Sequence, residues 1–372
     1  MKVIIAAAGT GGHINPGIAI GNIIEKEYPN SDIRFIATGK ELEEDLISKA
    51  GFKSYAIQAY GFSKKLTIEN LKHNIKTLQG FKQARKILEE FKPDIVIGTG
   101  GYICGAVISS AHKLGIPTLL HESNAYPGLA IKLLSKKADT ILVGINEAKD
   151  GLKKAKRVVY TGTPTKVKPL TLSSSDKKRI LKELNIDAKL PILLVFGGSQ
   201  GAKKINDCII EIIEKSMNKD YQIVWSTGAI QYDIIKEELK KKNIDIENIK
   251  NAKILPYIYN MDEVMSISDL VVARSGALTL TELALLGKPA IFIPLPSSTA
   301  NRQEDNARVF EKQGAAKIIL NSEVTYNNLN EMIESIILDK DKLKSMSEAS
   351  SNLAITDVED RILSEIKRLI KE

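Results

Sequence analysis

Arg274-Ser275-Gly276-Ala277-Leu278-Thr279-Leu280-Thr281-Glu282 is the stretch from which the fold of this chain can be read. It follows the apolar run Leu270-Val271-Val272-Ala273, whose composition is that of a buried strand. It opens a helical stretch, Thr281 to Leu286, that Gly287-Lys288-Pro289 brings to a stop. A strand therefore feeds a glycine turn, and the turn feeds a helix N-terminus. Such a terminus presents unpaired backbone N–H groups and the positive end of the helix dipole to an anion such as phosphate. Glu282, near the helix start, is placed to accept hydrogen bonds from a diol such as ribose. Thr279-x-x-Glu282 also fits a capping box, so the pair reads either as ligand binding or as a helix cap.

The same strand, turn and helix pattern runs outward in both directions. Strand candidates are Val3–Ala8, Ile33–Ala37, Ile95–Gly98, Thr118–His121, Thr140–Val143, Ile192–Phe196, Gln222–Ser226, Lys253–Leu255, Leu270–Ala273 and Ala290–Ile293. Several are unbroken apolar runs, as strands covered on both faces of a parallel sheet require. Helical patterns fill the intervals, which is doubly wound α/β logic. The chain also begins twice. Val3–Ala8 leads into Gly9-Thr10-Gly11-Gly12, and Ile192–Phe196 leads into Gly197-Gly198-Ser199-Gln200-Gly201. The polar stretch from Gly162 to Lys189, with Pro164, Pro169 and a serine cluster, reads as a linker and the lead-in to a second sheet. Two Rossmann-like domains are expected, 1–163 and 164–354, with a C-terminal helix at about 355–372 that packs back on the first. Ligands of such sheets bind beyond the carboxyl ends of the strands. Two sheets facing a cleft then hold one ligand each, with chemistry between them.

Bulk properties narrow the class. A chain of 372 residues is long for one core. With 43% hydrophobic and 26% charged residues, its composition is that of a globular protein, and no apolar run reaches the roughly 20 residues that span a bilayer. Met1 to Ala8 resembles a short signal segment but runs straight into a glycine loop, which favours a first buried strand. Cys104 and Cys208 lie far apart, which fits a reducing compartment and leaves no cysteine metal pair. The net charge of +8 suits nucleic acid, an anionic membrane surface or anionic substrates, or simply a solvated lysine-rich exterior.

The glycine loops carry the chemistry. Gly9-Thr-Gly-Gly-His13-Ile-Asn15-Pro-Gly17 is a strand-to-helix turn that lets a ligand approach the backbone closely. It is a poor dinucleotide fingerprint, because the second strand ends in Ala37-Thr38-Gly39 without the acidic residue that would hold a ribose. It lacks the Gly-Lys-Ser/Thr of a Walker loop. His13 is a candidate general base, or a helix-start residue bonded to backbone. Gly98-Thr-Gly-Gly101-Tyr102 forms a second turn on the same edge, and His121-Glu122-Ser123-Asn124 ends a third strand there, lining one rim with His13. In the second half, Gly198 to Gly201 offers N–H groups and a hydroxyl to phosphate. Asn301-Arg302-Gln303-Glu304-Asp305-Asn306 offers amides to sugar hydroxyls, or is a polar helix start. Asp339-Lys340-Asp341 sits in a lysine-rich helical run rather than after a strand, and the four histidines lack zinc spacing, so no metal and no cofactor is expected.

Together these motifs resemble the MurG-type glycosyltransferases of peptidoglycan synthesis. The resemblance rests on Gly9 to Gly17, His121 to Asn124, Gly197 to Gly201, Arg274 to Thr279 with Glu282, and Gln303 with Asn306, in order from the first strand to about Ile319. It implies a GT-B fold and transfer of N-acetylglucosamine from UDP-N-acetylglucosamine to the muramyl sugar of a lipid-linked, pentapeptide-bearing pyrophosphate. That reaction, lipid I to lipid II, inverts the anomeric centre without a D-x-D metal site. The resemblance places Thr10, Gly11, Gly12, Asn124, Lys166, Ser199, Ile258, Ala277, Leu278, Thr279, Leu280, Thr281, Glu282 and Gln303 around the donor, with Glu282 on the ribose, Ile258 at the uracil and His13 as candidate base. One departure stands out. The family pattern Gly-Asn-Pro-x-Arg is here Gly162-Thr163-Pro164-Thr165-Lys166, and lysine keeps the charge without the fork of arginine. A related diacylglycerol glycosyltransferase shares the donor half and differs in the acceptor loops; the His13–Gly17 and His121–Asn124 motifs favour the muramyl acceptor.

A lipid-linked acceptor also implies contact with a membrane. Ile68, Leu71, Ile75, Leu78 and Phe81 recur at near-helical spacing, among Lys64, Lys65, Lys72, Lys76, Lys82, Arg85 and Lys86. An apolar stripe ringed by cations suits an anionic lipid surface at the cytoplasmic face, with no nucleic acid partner. The same residues also fit ordinary packing against the first domain under a solvated lysine face.

Overall fold

The computed structural model describes residues 1–59, 68–169, 172–187, 189–198, 200–246, 248–296 and 301–372, and for 68–75 the backbone alone. The chain divides into two compact units, Met1–Lys166 with Asp357–Glu372, and Val167–Thr356.

In the first unit the strands are β1 (Lys2–Ala7), β2 (Asp32–Ala37), β3 (Lys53–Ala56), β4 (Ile95–Gly100), β5 (Thr118–Glu122), β6 (Thr140–Val143) and β7 (Val158–Tyr160). Between them run α1 (Gly11–Glu27), α2 (Glu41–Lys49), α3 (Ile68–Phe91), α4 (Ile103–Lys113) and α5 (Leu129–Leu134). The sheet order is β3-β2-β1-β4-β5-β6-β7, parallel throughout. The order reverses between β1 and β4, so their carboxyl ends flank a switch point. Val3, Ile4, Ile5, Val96 and Ile97 are fully buried, which is why these strands read as continuous apolar runs.

The second unit has helices α6 (Ser174–Leu184), α7 (Lys203–Glu214), α8 (Ala229–Lys241), α9 (Met261–Ile267), α10 (Ala277–Leu285), α11 (Arg302–Lys312), α12 (Tyr326–Ile337) and α13 (Lys340–Ser351). Its strands are β8 (Ile192–Phe196), β9 (Gln222–Ser226), β10 (Ala252–Leu255), β11 (Leu270–Ala273), β12 (Ala290–Phe292) and β13 (Ala316–Ile318). They form a second parallel sheet, β10-β9-β8-β11-β12-β13, whose switch point lies between β8 and β11.

Three strands escape a search for apolar runs: β3, β7 and β13. Each lies at a sheet edge, and none is fully buried along its length. The serine cluster expected in the linker instead starts α6. Ser173 Oγ accepts from the Asp176 backbone N at 3.1 Å, and Asp176 accepts in return from the Ser173 N at 3.2 Å, a complete capping box. The last helix, α14 (Val358–Ile370), belongs to the first unit. Its Glu365 is buried and takes two bonds from Arg157, at 2.9 and 2.6 Å, and one from Arg368 at 2.9 Å. Arg361 reaches the Tyr160 carbonyl of β7 at 3.1 Å.

Candidate active site

At the switch point of the first sheet, β1 runs through Gly9 into α1. Thr10 is the exposed N-cap, its side chain makes no capping bond, and Gly11, Gly12 and His13 form the first turn. The neighbouring turn after β4 comes very close. Gly100 (φ +122°) and Gly101 (φ +81°) are in conformations that L side chains rarely adopt. A Cβ at Gly100 would sit 2.6 Å from His13 Cδ2, and one at Gly101 would sit 2.7 Å from the Ala8 carbonyl oxygen. The His13 ring therefore rests against the backbone of β4, and Thr99 Oγ1 donates to the His13 carbonyl at 2.7 Å. His13 Nδ1 lies 3.1 Å from the Ala8 oxygen. A carbonyl only accepts, so Nδ1 carries the proton of that bond.

Glu43 lies in none of the sequence motifs. It is fully buried on α2, and its carboxylate accepts from Gly9 N, Thr38 N and Thr38 Oγ1, each at 2.7 Å. The second strand lacks an acid at its own end, but one reaches that end from the following helix; a search for an acid at the strand terminus cannot find it.

Asn124 follows β5. Its side-chain amide donates to Glu122 at 2.8 Å and its backbone N to the same oxygen at 3.0 Å, while Gly128 N donates to the other Glu122 oxygen at 2.7 Å. Glu122 thus shapes the loop that presents Asn124. His121 does not line the rim with His13. It is fully buried, 3.3 Å from the Gly162 carbonyl through Nε2, and burial holds its imidazole below the ordinary value. The strand alternation that faces Glu122 and Asn124 toward the loop turns His121 into the interior. Lys166 is exposed at the end of the unit, and the Thr163 hydroxyl is buried without a partner among the described residues.

In the second unit Ser199 lies outside the described residues. The turn after β8 leads to α7, where Asn206 is buried and bonds to the Thr227 carbonyl at 3.0 Å, to Gln231 at 2.8 Å and, as acceptor, to Trp225 Nε1 at 3.1 Å. After β11 the helix starts four residues earlier than the sequence suggests. Gly276 is its N-cap and makes no side-chain capping bond. Thr279 is the third helical residue and Glu282 the sixth, so Thr279-x-x-Glu282 is not a capping box. Leucines and alanine at 277–280 sustain the helix with no break, which moves its start back to the glycine.

The turn and α11 are tied together. Ser275 Oγ donates to the Gln303 carbonyl at 2.7 Å, and Asn306 donates to the Ser275 carbonyl at 3.1 Å. Gln303 Oε1 accepts from Leu295 N at 2.9 Å. Ala277 to Glu282 and Gln303 are thereby brought into one neighbourhood. Asn306 holds the turn from beneath and is buried, so its amide serves the fold. Arg274 points backward, donating to Ile293 O at 2.7 Å, Pro294 O at 3.1 Å and Asn321 Oδ1 at 2.9 Å. Ile258 is buried in the connection after β10, beside exposed Tyr257 and Tyr259. Asp339 is a helix cap, accepting from Lys342 N at 3.0 Å, and the described residues hold no group of three potential metal ligands.

Both sheets therefore carry a glycine-rich strand-to-helix turn at the switch point, which defines a two-domain α/β protein built to hold anionic ligands beyond its strand ends. Known proteins give that class a name. Residues 3–143 match the glycosyltransferase family 28 N-terminal domain and 192–362 its C-terminal domain. A UDP-N-acetylglucosamine--N-acetylmuramyl-(pentapeptide) pyrophosphoryl-undecaprenol N-acetylglucosamine transferase of Acetivibrio thermocellus is 41% identical across 100% of this chain and 99% of its own length. The enzyme of the same name from Ruminiclostridium cellulolyticum is 40% identical over the whole of both chains. The crystal structure of Acinetobacter baumannii MurG superposes with a TM-score of 0.77 at 25% identity, covering 99% of this chain and 100% of that one. The chain belongs to glycosyltransferase family 28, and its two parallel α/β domains are the GT-B fold.

Proposed function

We propose that this chain transfers N-acetylglucosamine from UDP-N-acetylglucosamine to the muramyl sugar of an undecaprenyl-pyrophosphoryl acceptor carrying the pentapeptide, the activity in the names of its full-length relatives. The observation that carries the proposal is the recurrence of an uncapped helix N-terminus at each switch point, α1 after β1 and α10 after β11. The N-terminus of α10 meets the donor diphosphate, where its N–H groups stabilise the charge that builds on the leaving UDP. Glu282 takes the ribose hydroxyls, Ile258 the uracil, and Ser199, Ala277 to Thr281 and Gln303 the remaining donor groups of the second unit. In the first unit Asn124 contacts the donor sugar, with Thr10, Gly11, Gly12 and Lys166 as further donor-binding residues. A hydroxyl of the acceptor attacks the anomeric carbon from the face opposite the phosphate. The bond from that carbon to the phosphate oxygen breaks, UDP departs with the electron pair, and the hydroxyl proton passes to His13 Nε2. The anomeric configuration inverts.

The acceptor is lipid-linked, and no helix among the described residues is long and apolar enough to cross a membrane. We therefore place the enzyme peripherally on the anionic cytoplasmic face of the membrane. Support comes from α3, where Lys76, Lys82, Arg85, Lys86 and Leu78 are exposed, and from α5, where Leu129 and Leu133 are 68% and 70% exposed beside Lys132 and Lys136. Phe81 is half-buried and packs on the core, so the apolar stripe of α3 is shared between protein and solvent. The side chains of Ile68, Leu71, Lys72 and Ile75, with Lys64 and Lys65, lie outside the described residues.

The test is the replacement of His13 by alanine in the full chain. Turnover at saturating substrates is expected to fall by about 10²-fold or more, the lower range for loss of a general base, while UDP binding persists. Near-normal turnover would remove His13 from the reaction. Chelation of divalent metal is expected to leave the rate unchanged.

A further inference from the structure

The peptide group that joins Ala8 to Gly9 is bonded on both sides. Its N–H donates to Glu43 Oε1 at 2.7 Å, and its carbonyl accepts from His13 Nδ1 at 3.1 Å. A trans peptide is planar and points these two groups in opposite directions. One rigid plane therefore joins a carboxylate on α2 to the imidazole at the start of α1. Donation of the N–H to a carboxylate polarises the amide and makes its oxygen a stronger acceptor, since hydrogen bonds in series reinforce one another. The carboxylate is itself fixed. Glu43 is the third residue of α2, is fully buried, and has its second oxygen held by both the N–H and the hydroxyl of Thr38 at 2.7 Å.

We infer that Glu43 is a positioning residue for His13, acting through the Ala8–Gly9 peptide: it locks the rotation of that peptide and so holds the imidazole with its proton on Nδ1. The inference rests on the assignment of His13 to the reaction given above. Unlike the carboxylate of a catalytic triad, Glu43 touches neither the imidazole nor substrate. Its effect travels through a single amide, whose position beside Gly9 also explains a buried acid bonded to a loop that carries no cation of its own.

Glu43→Gln separates this role from a merely structural one. Both carboxylate oxygens accept, whereas glutamine keeps one acceptor and turns an NH₂ toward a donor. Facing two donors at Thr38 and one at Gly9, the amide oxygen is expected to stay with Thr38 and release Gly9. Nitrogen NMR of the full chain with labelled histidine, at a pH where the ring is neutral, reads the tautomer directly. The wild-type protein is expected to show His13 as Nδ1–H, and Glu43→Gln to move it toward Nε2–H. Turnover falls by about 10- to 100-fold, the range for an imidazole that loses its orienting partner, with UDP affinity unchanged. Thr38→Val removes one bond to Glu43 but spares the Gly9 bond, so its tautomer and turnover stay at the wild-type values. A folded Glu43→Gln with wild-type tautomer and turnover would overturn the inference. So would turnover that tracks melting temperature alike in both variants. Should Glu43→Gln not fold, the wild-type protein decides: a protected Gly9 amide in hydrogen exchange with an Nδ1–H His13 supports the arrangement, and a freely exchanging Gly9 amide or an Nε2–H ring overturns it. Normal turnover in His13→Ala would instead sink the assignment on which the inference rests, whatever the tautomer.

Discussion

Glu282 shows what one side chain can carry once its helix is placed correctly. As the sixth residue of α10 it lies past every capping position, so its carboxylate does not close the helix end. Glu282→Ala is expected to weaken UDP binding by about 1.5–3 kcal/mol, the worth of hydrogen bonds to a charged group. Titration calorimetry on the full chain checks this. Unchanged affinity would take Glu282 off the ribose. At this scale the strand-to-helix turns were legible where residue type and backbone position coincide: Gly9 to His13 after β1, and Ser275 and Gly276 after β11, declare themselves in the sequence. Glu43 did not, and Glu122 was legible as a rim residue but not as the carboxylate that holds the loop. Each acts from within a helix turn or strand end by accepting N–H groups of a loop several residues or a whole strand away, and such a bond leaves no local pattern in sequence.

Among elements, the central strands were readable because burial on both faces demands unbroken apolar runs, as in Ile192–Phe196. The edge strands β3, β7 and β13 were not, since half their surface meets solvent and their residues need not be apolar. The docking of α14 also comes from side chains far apart in sequence. Arg157 holds the Glu365 carboxyl below its usual value, with Arg368 adding to the effect. The folded value lies below the unfolded one of about 4.3, so this stabilisation is present above that pH and is lost as pH falls through the folded value. Glu365→Gln is expected to cost roughly 1–3 kcal/mol at neutral pH, between an exposed pair and a buried one. Denaturant melts should show the gap between wild type and variant closing in acid; a gap independent of pH would contradict the ion-pair account. For α3 and α5 the expected outcome is salt-sensitive binding to vesicles containing acidic lipid. Replacing Lys72, Lys76 and Lys82 with glutamine should release the protein by about 1 kcal/mol per basic residue near the surface. Replacing Leu129 and Leu133 with serine should weaken binding even at low salt. Vesicle binding indifferent to salt and to both sets would put the contact elsewhere on the protein.

At the scale of the whole molecule, two sheets with the same winding repeat one device, a switch point ending in a glycine turn and a helix N-terminus. The repetition was visible in sequence because the turns demand glycine. The C-terminal return of α14 to the first unit rests on its amphipathic residues finding β7 and α1, which only tertiary structure displays. Family membership and full-length relatedness then select one chemistry among those that a GT-B fold supports. The most direct measurement incubates the full chain with UDP-N-acetylglucosamine and the undecaprenyl-pyrophosphoryl-muramyl-pentapeptide acceptor, in parallel with diacylglycerol vesicles, and follows UDP release together with the lipid product. Stoichiometric UDP and a disaccharide on the pyrophosphoryl lipid are expected, with diacylglycerol unmodified. UDP release without a disaccharide-lipid, or sugar transferred to diacylglycerol, would contradict the proposed function.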